Sequence, residues 1–391
     1  MEKKIHSLIN QYKKDSEMKV KHSNLKEQFS HLKTEIFNKI EKLVDEGDYT
    51  LGSSVIEFEE NMKNLLGVKY VVGLNSGTDA LFLGLKSLGI GMGDEVITTP
   101  YTFFATIASI RNTGAKPVFV DIGLDLNIDT NLLEKSITSK TKAILPVHWA
   151  GLPANMEEIN KIAKNKNLYV IEDACQSINS EIKGRKTGTF GDIGCFSMHP
   201  LKNLNVWGDG GFISTNSEEL YNKLILLRNH GLSGRNESII YGYNSRLDSI
   251  QAIVANIKLK EIEEITNKRI KNAEFYDSAL NNISELNIQK RYKEYKHVFH
   301  LYIVRVNKRD SLLRFLNNEK KIDAKIHYPI PMHLQEAAKD LGYKKGDFPL
   351  SEKVCSEIIS LPINESLSED QLNYVVDSIK EFYSKSGYGR D

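Results

Sequence analysis

The sequence predicts an α/β fold built on a mostly parallel β-sheet with helices on both faces. Short apolar segments rich in β-branched residues recur along the first half of the chain, and amphipathic helical segments separate them. Such alternation is typical of parallel sheets covered by helices. A long helical stretch then leads into a C-terminal part with its own strand and a closing helix. We therefore expect a large sheet domain followed by a smaller α+β domain.

Seven segments are predicted as strands of the large sheet: YVVGL (70–74), EVITTP (95–100), PVFVDI (117–122), AILPVHW (143–149), LYVIED (168–173), DIGCFSM (192–198) and GFISTN (211–216). Between them, TDALFLGLKSLG places Leu81, Leu85 and Leu88 on one helical face and ends at Gly89, a typical C-terminal cap. ANMEEINKIAKNKN is likewise amphipathic. The C-terminal part contains a predicted long helical stretch (249–280), a strand (297–306) and a helix (368–383).

A chain of 391 residues is long enough for one large domain and a smaller one, each with a buried core. We expect a charged N-terminal extension over residues 1–22, a large domain over 23–258 and a small domain over 259–391. No role is assigned to the extension.

Composition excludes several functional classes. With 52 basic and 51 acidic residues, the net charge of +1 argues against non-specific binding to nucleic acid. No apolar run is long enough to span a membrane, and the basic start of the chain lacks the apolar core of a signal peptide. The three widely spaced cysteines form neither a disulfide framework nor a zinc site. These features predict a cytoplasmic protein that binds no metal.

Ligands of open α/β sheets bind beyond the carboxyl ends of the strands. In this sequence, residues that could bind a ligand or react with it follow several predicted strands. In LNSGTDAL, strand 70–74 runs into Ser76, Gly77 and Thr78, which open a helix. Gly77 allows close approach of the backbone, and free N–H groups at a helix start attract phosphate. A simple N-cap is the alternative interpretation of this segment.

Two further strand ends carry an acid and an aromatic ring. Asp173 ends strand 168–173, where it could pair with a cationic ring nitrogen, or cap a helix with Gln176 as its capping-box partner. In PYTFFATIAS, Phe103 could lie flat against a planar ligand and Thr102 could add a hydroxyl. Packing in a core is the alternative role for Phe103.

The segment CFSMHPLKNLNVWGDGG (195–211) carries the most informative lysine of the chain. Lys202 follows a predicted strand, with Ser197 and His199 before it, Asn203 after it and no acidic partner beside it. Together, a phosphate-binding turn, an aromatic plate, an acid and a lysine are the parts that hold pyridoxal phosphate. Lysine bonds to the cofactor's aldehyde, and the acid keeps the pyridine ring protonated so that it accepts electrons. The freed lysine can then move protons at the substrate carbon.

The chain resembles the DegT family of sugar aminotransferases through five motifs that occur in the family's order: NSGTDAL, YTFFAT, IEDACQS, CFSMHPLKNLNVWGDGG and GYNSRLDSIQA. The resemblance covers about residues 23 to 385. It implies a fold-type I, aspartate aminotransferase-like enzyme with a seven-stranded sheet that depends on pyridoxal 5'-phosphate. It further implies a homodimer with shared active sites. The amino group would pass from L-glutamate to a keto-sugar nucleotide, in the biosynthesis of amino sugars and surface polysaccharides.

The resemblance also implies a role for each matching residue. Lys202 takes the position that bonds to the cofactor, and Phe103 stacks on the cofactor ring. Asp173 meets the ring nitrogen, and Gln176 lies near the phenolic oxygen. The phosphate is bound by Ser197, Gly77 and Thr78, and by Asn244 of the partner subunit, while His327 and Tyr328 approach the sugar. Met198 stands where the family usually has phenylalanine.

Finer points of function rest on shorter segments. One branch of the family has histidine in place of the lysine and dehydrates its substrate, so Lys202 favours a regular aminotransferase, with His199 in a structural role. GYNSRLDSIQA and IHYPIPMHLQ resemble the branch that acts on 3-keto sugars more than the 4-keto branch. A non-catalytic sensor or regulator on the same fold is the alternative from another class.

Some motifs have simpler interpretations. GIGMGDE (89–95) precedes a strand, whereas a dinucleotide-binding fingerprint follows one, so its glycines are expected to make a turn. The basic, tyrosine-containing segment KRYKEYKH (290–297) is interpreted as a solvated face, with a pyrophosphate contact as the alternative. Arg246 is expected either to bind an anion or to form a structural ion pair.

Overall fold

The structure is a computed structural model and describes residues 18–384. Most of the predicted N-terminal extension, residues 1–17, lies outside the described part. The helices are α1 (Leu25–Ser30), α2 (Lys33–Glu46), α3 (Ser53–Leu66), α4 (Gly77–Ser87), α5 (Phe104–Asn112), α6 (Thr130–Leu133), α7 (Met156–Lys166), α8 (Glu218–Arg228), α9 (Ser249–Leu259), α10 (Ile262–Leu280), α11 (Arg309–Arg314), α12 (Pro349–Glu357) and α13 (Glu369–Ser384).

The strands are β1 (Tyr70–Leu74), β2 (Glu95–Thr98), β3 (Lys116–Phe119), β4 (Thr141–Ile144), β5 (Tyr169–Asp173), β6 (Glu181–Ile182), β7 (Arg185–Lys186), β8 (Ile193–Ser197), β9 (Gly211–Thr215), β10 (Leu232–Gly234), β11 (Glu237–Ser238), β12 (Leu286–Ile288), β13 (Tyr295–Lys296), β14 (Tyr302–Val306) and β15 (Ile358–Leu361). Short 3-10 turns occur at Glu134–Ser136, Trp149–Gly151, Met332–Leu334 and Glu336–Leu341, and a π turn at Phe315–Glu319.

Seven strands form the central sheet in the order β1-β9-β8-β5-β4-β2-β3. Strand β9 is antiparallel to both of its neighbours, while β8, β5, β4, β2 and β3 pair in parallel. The carboxyl ends of β1, β5 and β8 therefore lie at one edge of the sheet. The predicted α/β fold with a mostly parallel seven-stranded sheet is confirmed.

The predicted strands of the large sheet all form, and all except β1 are one to three residues shorter than expected. Strand β1 coincides with the prediction, whereas β4 ends at Ile144 although the apolar run continues to Trp149. Residues 145–149 remain buried, and the backbone still bonds to the neighbouring strands, because Leu145 donates to Ile97 and Val147 forms a parallel bridge with Asp173. The apolar run therefore predicts burial and contact with the sheet, but not the end of the regular strand β4.

The predicted strand over residues 297–306 is wrong in its first half. Only Tyr302–Val306 joins a sheet, because Phe299 adopts a left-handed backbone conformation (φ 47°) that interrupts the strand. The N–H groups of Val298 and Leu301 donate to the carbonyls of Gly151 and Ala150. This part of the chain therefore lines the loop after β4 instead of extending β14.

The predicted helical stretch 249–280 is two helices, α9 and α10, separated by Lys260 and Glu261. Neither residue is a helix breaker, so the sequence carries no signal for the break. Helix α9 packs on α2 and α3, whereas α10 packs on α13, and the two surfaces require different directions. The domain boundary expected after residue 258 lies in the last turn of α9, and it stays a prediction.

The C-terminal part is built on the antiparallel sheet β12-β14-β15, with α10 and α13 packed together beside it. Residues 18–22 belong to this part of the structure. Val20 forms a β-bridge with Ile322 and is buried in the same hydrophobic cluster. Among residues 18–384, no helix is both long and apolar enough to cross a lipid bilayer.

Candidate active site

The carboxyl edge of the sheet brings the starts of several loops together. Ser76 follows β1 and caps α4, because its hydroxyl accepts a hydrogen bond from the Asp79 N–H at 3.1 Å. The N–H groups of Gly77 and Thr78 then have no acceptor among residues 18–384. The start of α4 thus presents free donors and the positive end of a helix dipole.

Gly77 is packed too closely for any other residue. A Cβ atom at this position would lie 2.5 Å from Ser197 Cβ and 2.9 Å from Cys175 Sγ. The backbone of α4 therefore contacts the end of β8 directly, and Ser197 lies against the free N–H groups. Close approach of backbone and hydroxyl is what a phosphate group needs.

Asp173 is buried at the end of β5, with 4% of its surface exposed. The Thr106 hydroxyl donates to its Oδ2 at 2.8 Å, and the Cys175 N–H donates to its Oδ1 at 3.2 Å. Thr102 contacts Thr106 through a hydroxyl–hydroxyl bond of 2.8 Å. Both carboxylate oxygens are thus held, which fixes the direction in which Asp173 can accept a further donor.

Lys202 lies in the loop between β8 and β9, and its side chain is half-buried. Burial lowers the pKa of this lysine, although the nearby Cys175 and Asp173 side chains oppose the shift. Within the described residues, its ammonium group makes no hydrogen bond or ion pair. The loop itself is ordered by His199, whose carbonyl accepts from the Lys202 N–H at 2.8 Å. This contact fits the structural role expected for His199.

Gln176 joins the loop after β5 to the C-terminal part. Its Oε1 accepts from the Ala150 N–H at 2.7 Å, and its Nε2 donates to the Tyr328 hydroxyl at 3.4 Å. Phe103 is 48% exposed, and its ring centroid lies 5.8 Å from that of Tyr328. Phe103 is therefore not a core residue, and its ring is available to a ligand.

His327 and Tyr328 are adjacent and joined by a cis peptide bond. The His327 carbonyl accepts from the buried Tyr101 hydroxyl at 2.6 Å, and the imidazole Nδ1 lies 2.9 Å from Ser360 Oγ. Burial first, and then the nearby Asp173, raise the pKa of Tyr328. Its hydroxyl is therefore a neutral hydrogen-bonding group.

Asn244 is the one predicted site residue without a contact to the others inside this chain. It is exposed and forms an isolated β-bridge with Asn229. Its neighbour Ser245 lies 3.4 Å from the Asn75 side chain, one residue before Ser76. The loop is therefore close to the start of α4, while Asn244 itself faces outwards.

A buried carboxylate supports the site from behind. Glu172 accepts from the N–H groups of Gly188, Phe190 and Gly191 and lies 2.8 Å from His148 Nε2. His148 Nδ1 accepts from a backbone N–H, so Nε2 carries the proton and donates to Glu172. His148 is therefore a buried, hydrogen-bonded side chain behind the site.

Two of the four cations in the segment 290–297 are paired with carboxylates. Lys296 contacts Glu181 and Glu263, and Arg291 contacts Asp277. Lys290 and Lys293 are exposed, which agrees with the interpretation of the segment as a solvated face. Arg246 donates to the side chain of Asn229 at 3.4 Å, and its anion-binding role stays a prediction.

Sequence reasoning missed three side chains at the site. Thr106 lies four residues after Thr102, in the first turn of α5, and no local pattern shows that its hydroxyl reaches Asp173. His300 comes close to Lys202, and His22 close to His300 and His327, only through the tertiary fold. Nothing in their local sequence marks them.

The matching family model is that of the DegT/DnrJ/EryC1/StrS aminotransferase family, and it covers residues 30–380. The chain belongs to this family. It is 41% identical to a pleiotropic regulatory protein of Geobacillus stearothermophilus, over 94% of this chain and 99% of the relative. It is 38% identical to a UDP-N-acetyl-3-dehydro-α-D-glucosamine 3-aminotransferase of Acidithiobacillus ferrooxidans, over 91% and 96% of the two chains.

Solved structures agree with this assignment. The chain is similar to DesV of S. venezuelae in complex with a ketimine intermediate, with a TM-score of 0.91, 36% identity and coverage of 94% and 99%. It is also similar to NtdA of Bacillus subtilis with bound pyridoxamine phosphate, with a TM-score of 0.87, 31% identity and coverage of 95% and 87%. The protein is a sugar aminotransferase of fold type I that depends on pyridoxal phosphate, as the sequence predicted.

The residues present fit this cofactor. A phosphate fits at one end of the site, beside the free N–H groups of Gly77 and Thr78 and the closely packed Ser197. A ring nitrogen fits at the other end, where both carboxylate oxygens of Asp173 are held by hydrogen bonds. Lys202 has a lowered pKa and no side-chain partner in the described part of the chain. Its amine is thus available to an aldehyde.

Proposed function

We propose that the protein transfers an amino group from L-glutamate to a 3-keto-deoxy sugar carried on a nucleoside diphosphate. The observation that carries this proposal is the convergence of Lys202, Asp173 and the start of α4 at one edge of the sheet. The A. ferrooxidans relative, named for 3-amination of a UDP-linked sugar, supports the nucleotide and the 3-position. The product would enter the biosynthesis of amino sugars and surface polysaccharides.

When bound, pyridoxal phosphate serves as the electron sink and carries the amino group between substrates. The N–H groups of Gly77 and Thr78 and the Ser197 hydroxyl would hold its phosphate. Asp173 would accept a hydrogen bond from its ring nitrogen, and Phe103 would cover one face of the ring.

Lys202 would hold the cofactor covalently and then move a proton at the substrate carbon. The lowered pKa favours both tasks, because a neutral amine is the form that attacks a carbonyl and accepts a proton. Gln176 would lie near the phenolic oxygen of the cofactor and position Tyr328. His327 and Tyr328 would contact the sugar.

A homodimer is part of the proposal. Asn244 would bind the phosphate in the partner subunit, which agrees with its outward direction in one chain. Large apolar side chains near Asn244, such as Tyr241 and Ile239, are exposed and would be covered by the partner. The cytoplasmic location expected from the sequence remains a prediction.

Two alternatives have some support. Amination at carbon 4 needs the same cofactor residues and differs only in how the sugar is held. A regulatory role is suggested by the name of the G. stearothermophilus relative. Lys202 and Asp173 favour the transferase, because a binding role requires neither a reactive lysine nor an acid for the ring nitrogen.

Purified protein with bound cofactor should be yellow, and L-glutamate should bleach the colour while 2-oxoglutarate is released. A panel of 3-keto and 4-keto sugar nucleotides should then restore the colour with the correct acceptor. The aminated carbon is identified by mass spectrometry and NMR. Unchanged absorbance with glutamate, in protein that has bound the cofactor, would contradict the transferase.

A further inference from the structure

Three histidines from separate segments of the chain form one cluster, and two of them, His300 and His327, lie near Lys202. His22 lies in the N-terminal segment before α1, His300 precedes β14, and His327 lies in the loop before α12. The ring centroids of His22 and His327 are 5.6 Å apart. Burial, and then the nearby Lys202 ammonium, lowers the pKa of His300, and burial, with His22 and Lys202, lowers that of His327, so these groups lie in one region.

Backbone contacts determine the position of His22. Its N–H donates to the Asp323 carboxylate at 3.2 Å, and the Asp323 N–H donates to the Val20 carbonyl at 2.8 Å. The Lys19 N–H donates to the Lys321 carbonyl at 2.8 Å. The imidazole of His22 is needed for none of these bonds, so it is free for another purpose.

The imidazoles retain unused hydrogen-bonding atoms. Nδ1 of His22 and Nδ1 of His300 are buried and have no partner among residues 18–384. Buried polar atoms of proteins are nearly always hydrogen-bonded, since an unsatisfied atom costs about 1–3 kcal/mol. Two such atoms in one cluster with His327 are therefore available to a ligand that supplies their partners.

The charge state of the imidazoles indicates the kind of ligand. Burial, with Lys325 and Arg269, lowers the pKa of His22 to about 3, and burial, with His22 and Lys202, lowers that of His327 to about 3. Lys325 is paired with Asp323, and Arg269 with Glu365. Neutral imidazoles offer one donor and one acceptor each, which suits hydroxyl groups better than carboxylate or phosphate.

We infer that His22, together with His300, extends the sugar subsite of His327 and binds hydroxyl or amide groups of the acceptor sugar ring. The inference rests on the proposed function. His22 is then a specificity-determining residue contributed by the N-terminal segment, and residues 18–22 form one wall of the active site.

Binding measured by calorimetry separates the sugar from the nucleotide. The enzyme is loaded with pyridoxamine phosphate and titrated with the non-reacting probes UDP-N-acetylglucosamine and dTDP-glucose, and then with UDP and dTDP. His22→Ala should raise the Kd of at least one sugar nucleotide about 3- to 10-fold, as expected for one lost hydrogen bond. The Kd values of UDP and dTDP should not change.

Two further variants make the comparison sharp. His22→Asn keeps a neutral donor and acceptor and should restore most of the affinity. His31→Ala removes an exposed histidine that contacts Glu261, outside the cluster, and should bind all four probes like wild type. Circular dichroism and the Tm of each variant verify the fold.

The outcomes distinguish the two proposals. Unchanged affinity of His22→Ala for both sugar nucleotides overturns the inference, as does an equal loss of affinity for UDP and dTDP. A wild-type enzyme that bleaches with glutamate but binds neither sugar nucleotide also overturns it. Failure of the wild type to react with glutamate contradicts the proposed function itself.

Discussion

Asp173 and Lys202, the two ionisable groups at the centre of the site, are controlled in different ways. Asp173 is held by a hydroxyl and a backbone N–H, which restrict its direction. The pKa of Lys202 is lowered by burial, so its amine loses a proton more readily than that of a solvated lysine. The residue types were evident from the motifs, whereas Thr106 and the burial of Lys202 follow from packing.

Replacement of Lys202 by alanine should abolish turnover, because no other amine in the described site has both the position and the lowered pKa. The protein should lose its yellow colour, and the proposed dimer should persist. Absorbance spectra, steady-state kinetics and sedimentation measure the three properties. Turnover at the wild-type rate would remove Lys202 from the mechanism.

The lowered pKa of Lys202 predicts a pH dependence. Because its amine becomes neutral at a lower pH than that of a solvated lysine, the rate at which apoprotein recombines with pyridoxal phosphate should rise with pH and level off earlier. Stopped-flow absorbance measures this rate, with N-acetyl-lysine amide as the solvated reference. Identical pH profiles for the protein and the reference would contradict the prediction.

Thr106→Val should weaken catalysis, because it removes one of the two donors that hold Asp173. A hydrogen bond to a charged group contributes about 1.5–3 kcal/mol, which corresponds to roughly 10- to 100-fold in kcat/KM. Asp173→Asn should lower the catalytic rate by several orders of magnitude, since the ring nitrogen loses its charge partner. Thr106→Ser keeps the hydroxyl and should recover most of the rate; equal losses in the two Thr106 variants would argue against this role.

At the scale of elements, the site depends on the contact between the start of α4 and the end of β8. Both elements were predicted from hydrophobic periodicity and turn residues. The distance between the two elements was not predicted, because periodicity carries no information about how closely two backbones approach. Gly77 is the position at which this contact is most sensitive.

Gly77→Ala should destabilise the fold by about 1–3 kcal/mol and lower the affinity for pyridoxal phosphate, since the new methyl group overlaps Ser197. Gly91→Ala is a matched control, because its Cβ would meet only the Thr113 carbonyl at 3.5 Å. Urea unfolding and cofactor titration measure the two effects. Equal effects of the two substitutions would show that close packing at Gly77 is unimportant.

Longer-range geometry also decided where elements end. Residues 297–301 were predicted as strand, yet they pair with the loop at Ala150 and Gly151. The result is that His300 comes close to Lys202. The break between α9 and α10 has a similar origin, because the two helices pack on different parts of the molecule.

At the scale of the whole molecule, residues from the N-terminal segment, the large domain and the C-terminal part surround Lys202. His22, Asp173 and His327 are far apart along the chain, yet they lie around one site. Asn244 faces away from the site of its own chain, so the proposed dimer would complete the phosphate contacts.

Asn244→Ala should raise the Kd of pyridoxal phosphate about 3- to 10-fold, as expected for one lost hydrogen bond, while the proposed dimer persists. Equilibrium dialysis measures the affinity, and sedimentation measures the mass. Asn236→Ala, in the exposed turn between β10 and β11, should leave both unchanged. A monomeric wild-type protein with full cofactor affinity would contradict the shared site.

The sequence by itself determined the fold class, the seven strands and the residue types of the cofactor site, because periodicity and short motifs are local properties of the chain. Tertiary structure alone decided which hydroxyl holds Asp173, how deeply Lys202 is buried and which histidines face it. Those properties depend on contacts between residues far apart in sequence, such as His22 with His327, and no local pattern encodes them.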